Sequence, residues 1–322
     1  MTKVSVIAMT RAFVFPGQGS QTIGMGRALA EGFSCAREVF EEIDDALKQK
    51  LSRLMWEGPE SELVLTENAQ PAIMAVSLAI VRVLEREGQL DLARHARLVA
   101  GHSLGEYSAL AAAGSFACSD AARLLKRRGL AMQRAVAPGV GAMSALLGIE
   151  VADAEAAAVE ASAQGGVCVV ANDNAPGQVV VSGTKEAVER ASEFAKGKGA
   201  KRAIPLAVSA PFHSPLMLPA AEEMREALAS VIIRPLAVPV VANVTAEETC
   251  EPETIRRLLV EQVTSRVRWR ESVLSFRRYG VNTTVEAGGN KVLTGMIKRI
   301  DRELVPVTLD TPADIESFAK SL

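Results

Sequence analysis

Histidine is scarce in this chain: 322 residues hold only three, His95, His102 and His213. None is paired at metal-ligand spacing, so no histidine-built metal centre is expected. The same scarcity leaves three candidates for any chemistry that needs an imidazole base. Cysteine is nearly as rare: Cys35, Cys118, Cys168 and Cys250 are far apart with no CxxC pair, the usage of reduced, mostly buried thiols in a cytoplasmic protein. Excess charge is missing as well. The 36 Lys+Arg against 38 Asp+Glu give a net charge of -2, so no nucleic-acid partner is expected. No apolar run reaches the roughly 18 to 20 residues that span a bilayer. The most apolar stretch, Pro71 to Val83, is interrupted by Ser77 and Arg82 and reads as a core helix, so no membrane association is expected. The opening MTKVSVIAMTRAFVF lacks a basic segment followed by a long apolar one, and no export signal is expected.

What is present is an ordinary globular composition, 48% hydrophobic and 23% charged, in a chain long enough for one main domain with a smaller one attached. Ala12 to Phe15 reads as a short strand stopped by Pro16-Gly17-Gln18-Gly19-Ser20-Gln21. That loop fits neither GxGxxG nor GxxxxGK[ST], so it is read as a loop that sets backbone amides or Gln18 beside a site, rather than as a phosphate cradle. Val39, Phe40, Ile43, Leu47, Leu51 and Leu54 recur at helical spacing and predict one helix over 37–55, ended by Gly58-Pro59. Thr66 and Asn68 are cap candidates for a long helix over 70–87 with Pro71 in its first turn. From Gly139 the order is β-α-β-β-α-β, a ferredoxin-like split βαβ pattern: strands at 142–147, 167–170, 178–182 and 203–208, helices at 151–163 and 185–196. Further strands are expected at 239–243 and 283–286. The division predicted is 1–137 and 208–322 as a large α/β domain with a parallel sheet, and 138–207 as an inserted small α+β domain.

Gly101-His102-Ser103-Leu104-Gly105 is a GxSxG pentapeptide between a strand-like Arg97–Ala100 and a helix-forming Leu104–Ala113. A strand, sharp turn and helix would lift the Ser103 hydroxyl to the top of a sheet, with glycines removing side chains that collide in so tight a bend. The Leu104 N–H would then point from the helix N-terminus toward an oxyanion at Ser103. The plainer alternative is a tight turn without chemistry. A nucleophilic serine needs a base. His102 is its chain neighbour and should diverge from it; His95 lies in the basic surface stretch Arg94–Arg97. His213, in the rigid Ala210-Pro211-Phe212-His213-Ser214-Pro215, remains by elimination, against the alternative of a loop histidine bonded to a carbonyl.

A helix with Ser119 as N-cap is predicted to run to about Ala135. Ala121, Leu124, Leu125, Arg128 and Met132 share its apolar face, while Arg123, Lys126, Arg127 and Arg134 take the wet one. A guanidinium in an apolar stripe demands a partner, because burying it unpaired costs several kcal/mol. It meets either a carboxylate of the protein or one brought by a substrate, and its planar fork suits both equally.

Five segments in one order then resemble the malonyl-CoA:acyl carrier protein transacylase family: Phe15-Pro16-Gly17-Gln18-Gly19-Ser20-Gln21, Leu65-Thr66-Glu67-Asn68-Ala69-Gln70-Pro71, Gly101-His102-Ser103-Leu104-Gly105-Glu106, Gly141-Ala142-Met143 and Lys291-Val292-Leu293-Thr294-Gly295. The resemblance covers nearly the whole chain from about residue 10. It implies an α/β-hydrolase-like large domain with a ferredoxin-like insert, and a ping-pong transfer from malonyl-CoA to acyl carrier protein without a cofactor. Ser103 would carry the malonyl ester, His213 would be its base, and Gln18 and the Leu104 amide would serve the oxyanion. Arg128, followed by Gly129 and Met132-Gln133, matches the arginine that grips the malonyl carboxylate, and Phe212 resembles selectors of malonyl over methylmalonyl groups. Where relatives read Pro-Val-Gln-Trp, this chain has Arg266-Val267-Arg268-Trp269, which makes Arg268 the candidate for orienting the histidine, through a main-chain carbonyl. Glu286-Ala287-Gly288-Gly289-Asn290 also lacks a proline that relatives often carry. Met9-Thr10-Arg11 resembles a usual start, so residues 1–8 are expected to be an extension without a role. A monomer is expected. The competing readings are an acyltransferase of a polyketide pathway, a serine esterase or thioesterase with an acidic third member, and a non-catalytic carrier-protein scaffold.

Overall fold

Five consecutive buried residues, Arg11–Phe15, form strand β1, and burial on both faces explains why Ala12–Phe15 read as an unbroken apolar run. Phe13 and Phe15 enter the main core on one face of the sheet, while Ala12 and Val14 enter a second core on the other. This computed structural model describes residues 10–208 and 210–322; the suggested extension at 1–8 lies outside the described residues.

The remaining strands are β2 (Leu98–Gly101), β3 (Gly141–Leu147), β4 (Cys168–Ala175), β5 (Gln178–Thr184), β6 (Arg202–Pro205), β7 (Val240–Val241), β8 (Glu248–Thr249), β9 (Thr283–Ala287) and β10 (Val305–Leu309). The large sheet has the order β10-β9-β1-β2-β7-β8, with every pairing parallel except β7 with β8. The second sheet has the order β4-β5-β3-β6, all antiparallel. Helices Val151–Ala163 and Lys185–Gly197 pack their alanine-rich faces on it around Leu146, Val179 and Val181, which completes the ferredoxin-like arrangement. In the large sheet β1 and β2 lie side by side at the centre, and their carboxyl ends open on one edge. Open parallel sheets place ligands outside those ends.

Several local expectations are corrected. The helix over 37–55 is two, Ser34–Leu47 and Leu51–Glu57. Lys48 takes φ 50°, and the buried Asp44 carboxylate accepts from the Ser52 N–H and hydroxyl, so a new helix starts there. The apolar spacing continues across the break because both pieces bury onto one core. The long helix is Thr66–Glu87 and neither Thr66 nor Asn68 caps it; the Leu65 carbonyl receives the Asn68 and Ala69 N–H groups, one turn earlier than expected. Ser119 is likewise not a cap, because the helix Cys118–Arg134 begins after Ala117. Strand β4 runs on to Ala175 through the polar Asn172-Asp173-Asn174, and β6 stops at Pro205.

Candidate active site

Ser103 follows β2 in the left-handed backbone region, φ 53°, where a non-glycine residue costs about 1–3 kcal/mol. The surroundings hold it there. Its N–H donates to Asn243 Oδ1 at 2.7 Å, and Asn243 Nδ2 donates to the Gly101 carbonyl at 2.6 Å. Asn243 stands just past the end of neighbouring β7, so two strands clamp the bend. The motif glycines serve close approach rather than dihedral freedom: a Cβ on Gly101 would lie 1.9 Å from the Gly105 carbonyl carbon and oxygen, and one on Gly105 would lie 2.2 Å from the Phe15 carbonyl oxygen. The helix that follows is Gly105–Ala112, with Leu104 at its N-cap.

His213 reaches the same point from 110 residues away. Its Nε2 is 2.8 Å from Ser103 Oγ, and its backbone also takes a positive φ, 56°. Nδ1 faces two main-chain carbonyls, of Gln262 at 2.9 Å and Ser265 at 3.1 Å, and so carries the proton that leaves Nε2 free to accept. Burial, with the Arg128 cation adding to it, pushes the His213 pKa down to about 3. The imidazole is therefore neutral, as a proton acceptor must be. Arg268 is not the orienting group, because its carbonyl accepts from the Ser272 N–H and hydroxyl, each at 2.9 Å. Its guanidinium pairs with Glu271 and donates to the Val244 and Thr245 carbonyls, while its own N–H bonds to the Asn243 carbonyl. The carbonyls that do the work come from the end of helix Pro252–Gln262 and the loop after it. His102 turns to Asn174 Oδ1 at 2.8 Å, and His95 accepts from the Asp91 N–H on the far side of β2.

Arg128 is 1% exposed, in line with Ala121, Leu124, Leu125 and Met132, all buried on the same helix face. It donates to Gln70 Oε1 at 2.8 Å, Gln262 Oε1 at 3.0 Å and Ser103 Oγ at 3.1 Å. Tyr107 lies under its carbon at 5.8 Å. All three acceptors are neutral, and Nε has no partner among the described residues. The question left open by the helix pattern is answered: among the described residues no carboxylate pairs with this cation, so the protein supplies no counter-ion in contact.

A cavity of about 470 Å³ joins these groups, lined among others by Gln18, Ser103, Leu104, Arg128, Met132, Phe212 and His213. Gln18 Oε1 accepts from the Thr66 hydroxyl at 2.9 Å, which in turn receives Gln70 Nε2. Among the described residues, neither the Gln18 nor the Leu104 backbone N–H donates to a protein acceptor, so both are free for a ligand oxygen. Gln70, Asn243, Gln262 and Glu106 complete the site. Gln70 and Glu106 lie inside segments that resemble a family; Asn243 and Gln262 carried no sequence signal, since a lone buried amide has no spacing to betray it. Among the described residues no cluster of three or more His, Cys, Asp or Glu could hold a metal ion, and no helix is long and apolar enough to cross a membrane.

A hydroxyl with a neutral imidazole on it, free amides beside it and a buried cation facing it define a serine-type acyl-group transferase on a two-sheet α/β fold. The chain belongs to the acyl transferase family: the profile described as "Acyl transferase domain" matches residues 12–308. It is 45% identical over 311 residues to the malonyl CoA-acyl carrier protein transacylase of Bacillus subtilis (strain 168), covering 97% of this chain and 96% of that one. The crystal structure of an acyl-carrier-protein-S-malonyltransferase from Bartonella henselae superposes with a TM-score of 0.95 at 53% identity, over 97% of this chain and 99% of that one. A structure of a type II PKS acyl-carrier protein in complex with its malonyl-transacylase aligns at a TM-score of 0.93 and 42% identity, over 97% and 100% of the two chains.

Proposed function

We propose that this acyltransferase moves the malonyl group from malonyl-CoA to the phosphopantetheine thiol of acyl carrier protein, through a malonyl ester on Ser103, and so supplies fatty acid synthesis. The observation that carries the reading is the buried Arg128, a cation whose partners among the described residues are all neutral and whose Nη2 already lies 3.1 Å from Ser103 Oγ. A buried guanidinium so placed is matched by an acyl group that ends in a carboxylate, and a malonyl group has one two carbons from its thioester carbonyl.

In the first half-reaction Arg128 takes the malonyl carboxylate in two parallel hydrogen bonds. Ser103 Oγ attacks the thioester carbonyl as its proton passes to His213 Nε2. The Gln18 and Leu104 N–H groups receive the oxyanion, each such donor contributing about 3 kcal/mol. Collapse breaks the C–S bond, and His213 returns the proton to the CoA thiolate. In the second half-reaction His213 takes the proton of the carrier's thiol, the sulfur attacks the ester, and the C–O bond to Ser103 breaks as its oxygen is reprotonated. Phe212 and Met132 wall the acyl pocket, and the bulk of Phe212 opposes a branched acyl group. No step calls for a cofactor. The same reading carries the division at 137/138 and 207/208, a monomer and a cytoplasmic setting; the four strands of the small sheet, all within 141–205, form one antiparallel sheet with one another and support the division.

A serine hydrolase would place a carboxylate on His213 Nδ1, where two carbonyls stand instead. The deciding experiment incubates the chain with malonyl-CoA, maps the adduct by mass spectrometry and then adds holo acyl carrier protein. The expected result is a malonyl adduct at Ser103 that transfers to the carrier. Absence of an adduct, or one that water removes as fast as the carrier does, rejects the reading.

A further inference from the structure

Glu106, three residues beyond Ser103, has no part in the scheme above, yet its carboxylate is 2% exposed at the heart of the site. Its Oε2 accepts from the Asn243 N–H at 3.0 Å and from Gln262 Nε2 at 2.8 Å, and among the described residues no cation lies within salt-bridge distance. On the other side of the same amide, Gln262 Oε1 accepts from Arg128 Nη2 at 3.0 Å. A buried anion and a buried cation thus face each other across one side-chain amide. Gln262 is fully buried, and its Nε2 also donates to the Ser103 carbonyl at 3.0 Å.

An amide can be set in two orientations, and its neighbours choose between them. Here the choice is forced. Turned over, its NH₂ would meet the guanidinium, donor on donor, and its oxygen would meet the Glu106 carboxylate, acceptor on acceptor. An ionised Glu106 therefore fixes the Gln262 oxygen toward Arg128. We propose that Glu106 is a positioning residue for acyl-group selection: through Gln262 its carboxylate holds the Arg128 guanidinium in the orientation that receives a substrate carboxylate. This rests on the reading of Arg128 as the malonyl-binding group.

The arrangement has a pH signature. Burial raises the Glu106 pKa to about 7, against the opposing pull of the Asn243 N–H, the Gln262 amide and Arg128. Below that value the carboxyl gains an O–H that must donate, and the Gln262 oxygen is drawn away from Arg128. Of the other titratable groups around it, both imidazoles are shifted down from their ordinary value and the phenol is shifted up from its own. Tyr107, next along the helix, is raised from 10, His213 is pushed down to about 3, His102 is lowered, and Arg128 remains a cation.

The test measures kcat and KM with malonyl-CoA, and acylation of Ser103 by acetyl-CoA, from about pH 5.5 to 8.5, in the full chain and in Glu106→Gln. In the wild type, the KM for malonyl-CoA should rise about tenfold as pH falls from 8 to 6, while acetyl acylation stays flat. In Glu106→Gln the KM should be about tenfold higher at every pH, with kcat within about threefold, so that the preference for malonyl no longer varies with pH. A merely structural role would lower kcat for both substrates together. That result, or a wild-type preference that is flat with pH, overturns the proposal, and the wild-type profile decides alone should the variant not fold. A preference that survives Arg128→Ala overturns the reading of the site itself. One lost in Arg128→Ala but intact in Glu106→Gln overturns only the role of Glu106.

Discussion

At the scale of single residues, the site is defined by groups whose burial sets their charge. Arg128→Ala removes the buried cation facing Ser103 while leaving the Ser103–His213 hydrogen bond in place. Malonyl transfer should fall about 100-fold or more, and acetyl transfer should hold or rise, as read from kcat/KM for the two acyl-CoA substrates. Arg128→Lys should recover little, because a lysine cannot span Gln70, Gln262 and a carboxylate with one fork. His213 makes a stability prediction. Folded, it stays neutral down to about pH 3; unfolded, it takes a proton below its ordinary 6.5. The unfolded state binds more protons in that window, so stability is lost as pH falls from 6.5, by up to about 1.4 kcal/mol per unit. The raised pKa of Glu106 acts in the opposite sense below 7, and the comparison with a His213→Gln variant cancels it. Urea midpoints from pH 7 to 5 should fall faster in the wild type than in His213→Gln. Equal slopes would mean the imidazole is protonated in the folded chain.

At the scale of elements, the position of Arg128 depends on how closely two helices cross. Gly129 follows it, and a Cβ there would lie 2.5 Å from Glu67 Cα on the helix Thr66–Glu87. That atom is backbone and cannot swing away. Gly129→Ala should therefore cost about 1–3 kcal/mol, and it should also move Arg128 off Gln70, raising the KM for malonyl-CoA more than that for acetyl-CoA. Thermal melts with paired kinetics check both, and an unchanged melting temperature would show that the helices part freely. Elements were also where the sequence was most legible. The unbroken apolar runs of β1 and β2 and the helix face holding Arg128 follow from side-chain period alone. The breaks were less legible: Lys48 and the Asp44–Ser52 bonds that split one apolar stripe in two leave the spacing of buried residues intact. Caps failed for a similar reason, since the hydroxyl of Thr66 is taken up by Gln18, 48 residues away, and by Gln70 one turn along its own helix.

At the scale of the molecule, the site exists because two sheets are held against each other. The Asp173 N–H donates to the Val267 carbonyl at 3.0 Å and the Val267 N–H to the Ala171 carbonyl at 2.8 Å, so β4 of the small sheet is laced by backbone to the segment that carries the histidine-facing carbonyls. With this lacing and two chain connections, the units should unfold together: calorimetry should give one transition, with calorimetric and van't Hoff enthalpies in agreement. Two resolved transitions would show that the lacing contributes little. The amino-acid order by itself determined the strand-turn-helix at Ser103, the apolar stripe interrupted by Arg128, and the β-α-β-β-α-β insert, because each is a matter of local period and turn sterics. Only the tertiary structure decided that Gln262 and Ser265, not Arg268, face the histidine, that no carboxylate among the described residues meets Arg128, and that Glu106 and Arg128 share one amide. Those are contacts between segments dozens of residues apart, and their partners are fixed by the packing of sheets and helices, which no single stretch of chain encodes.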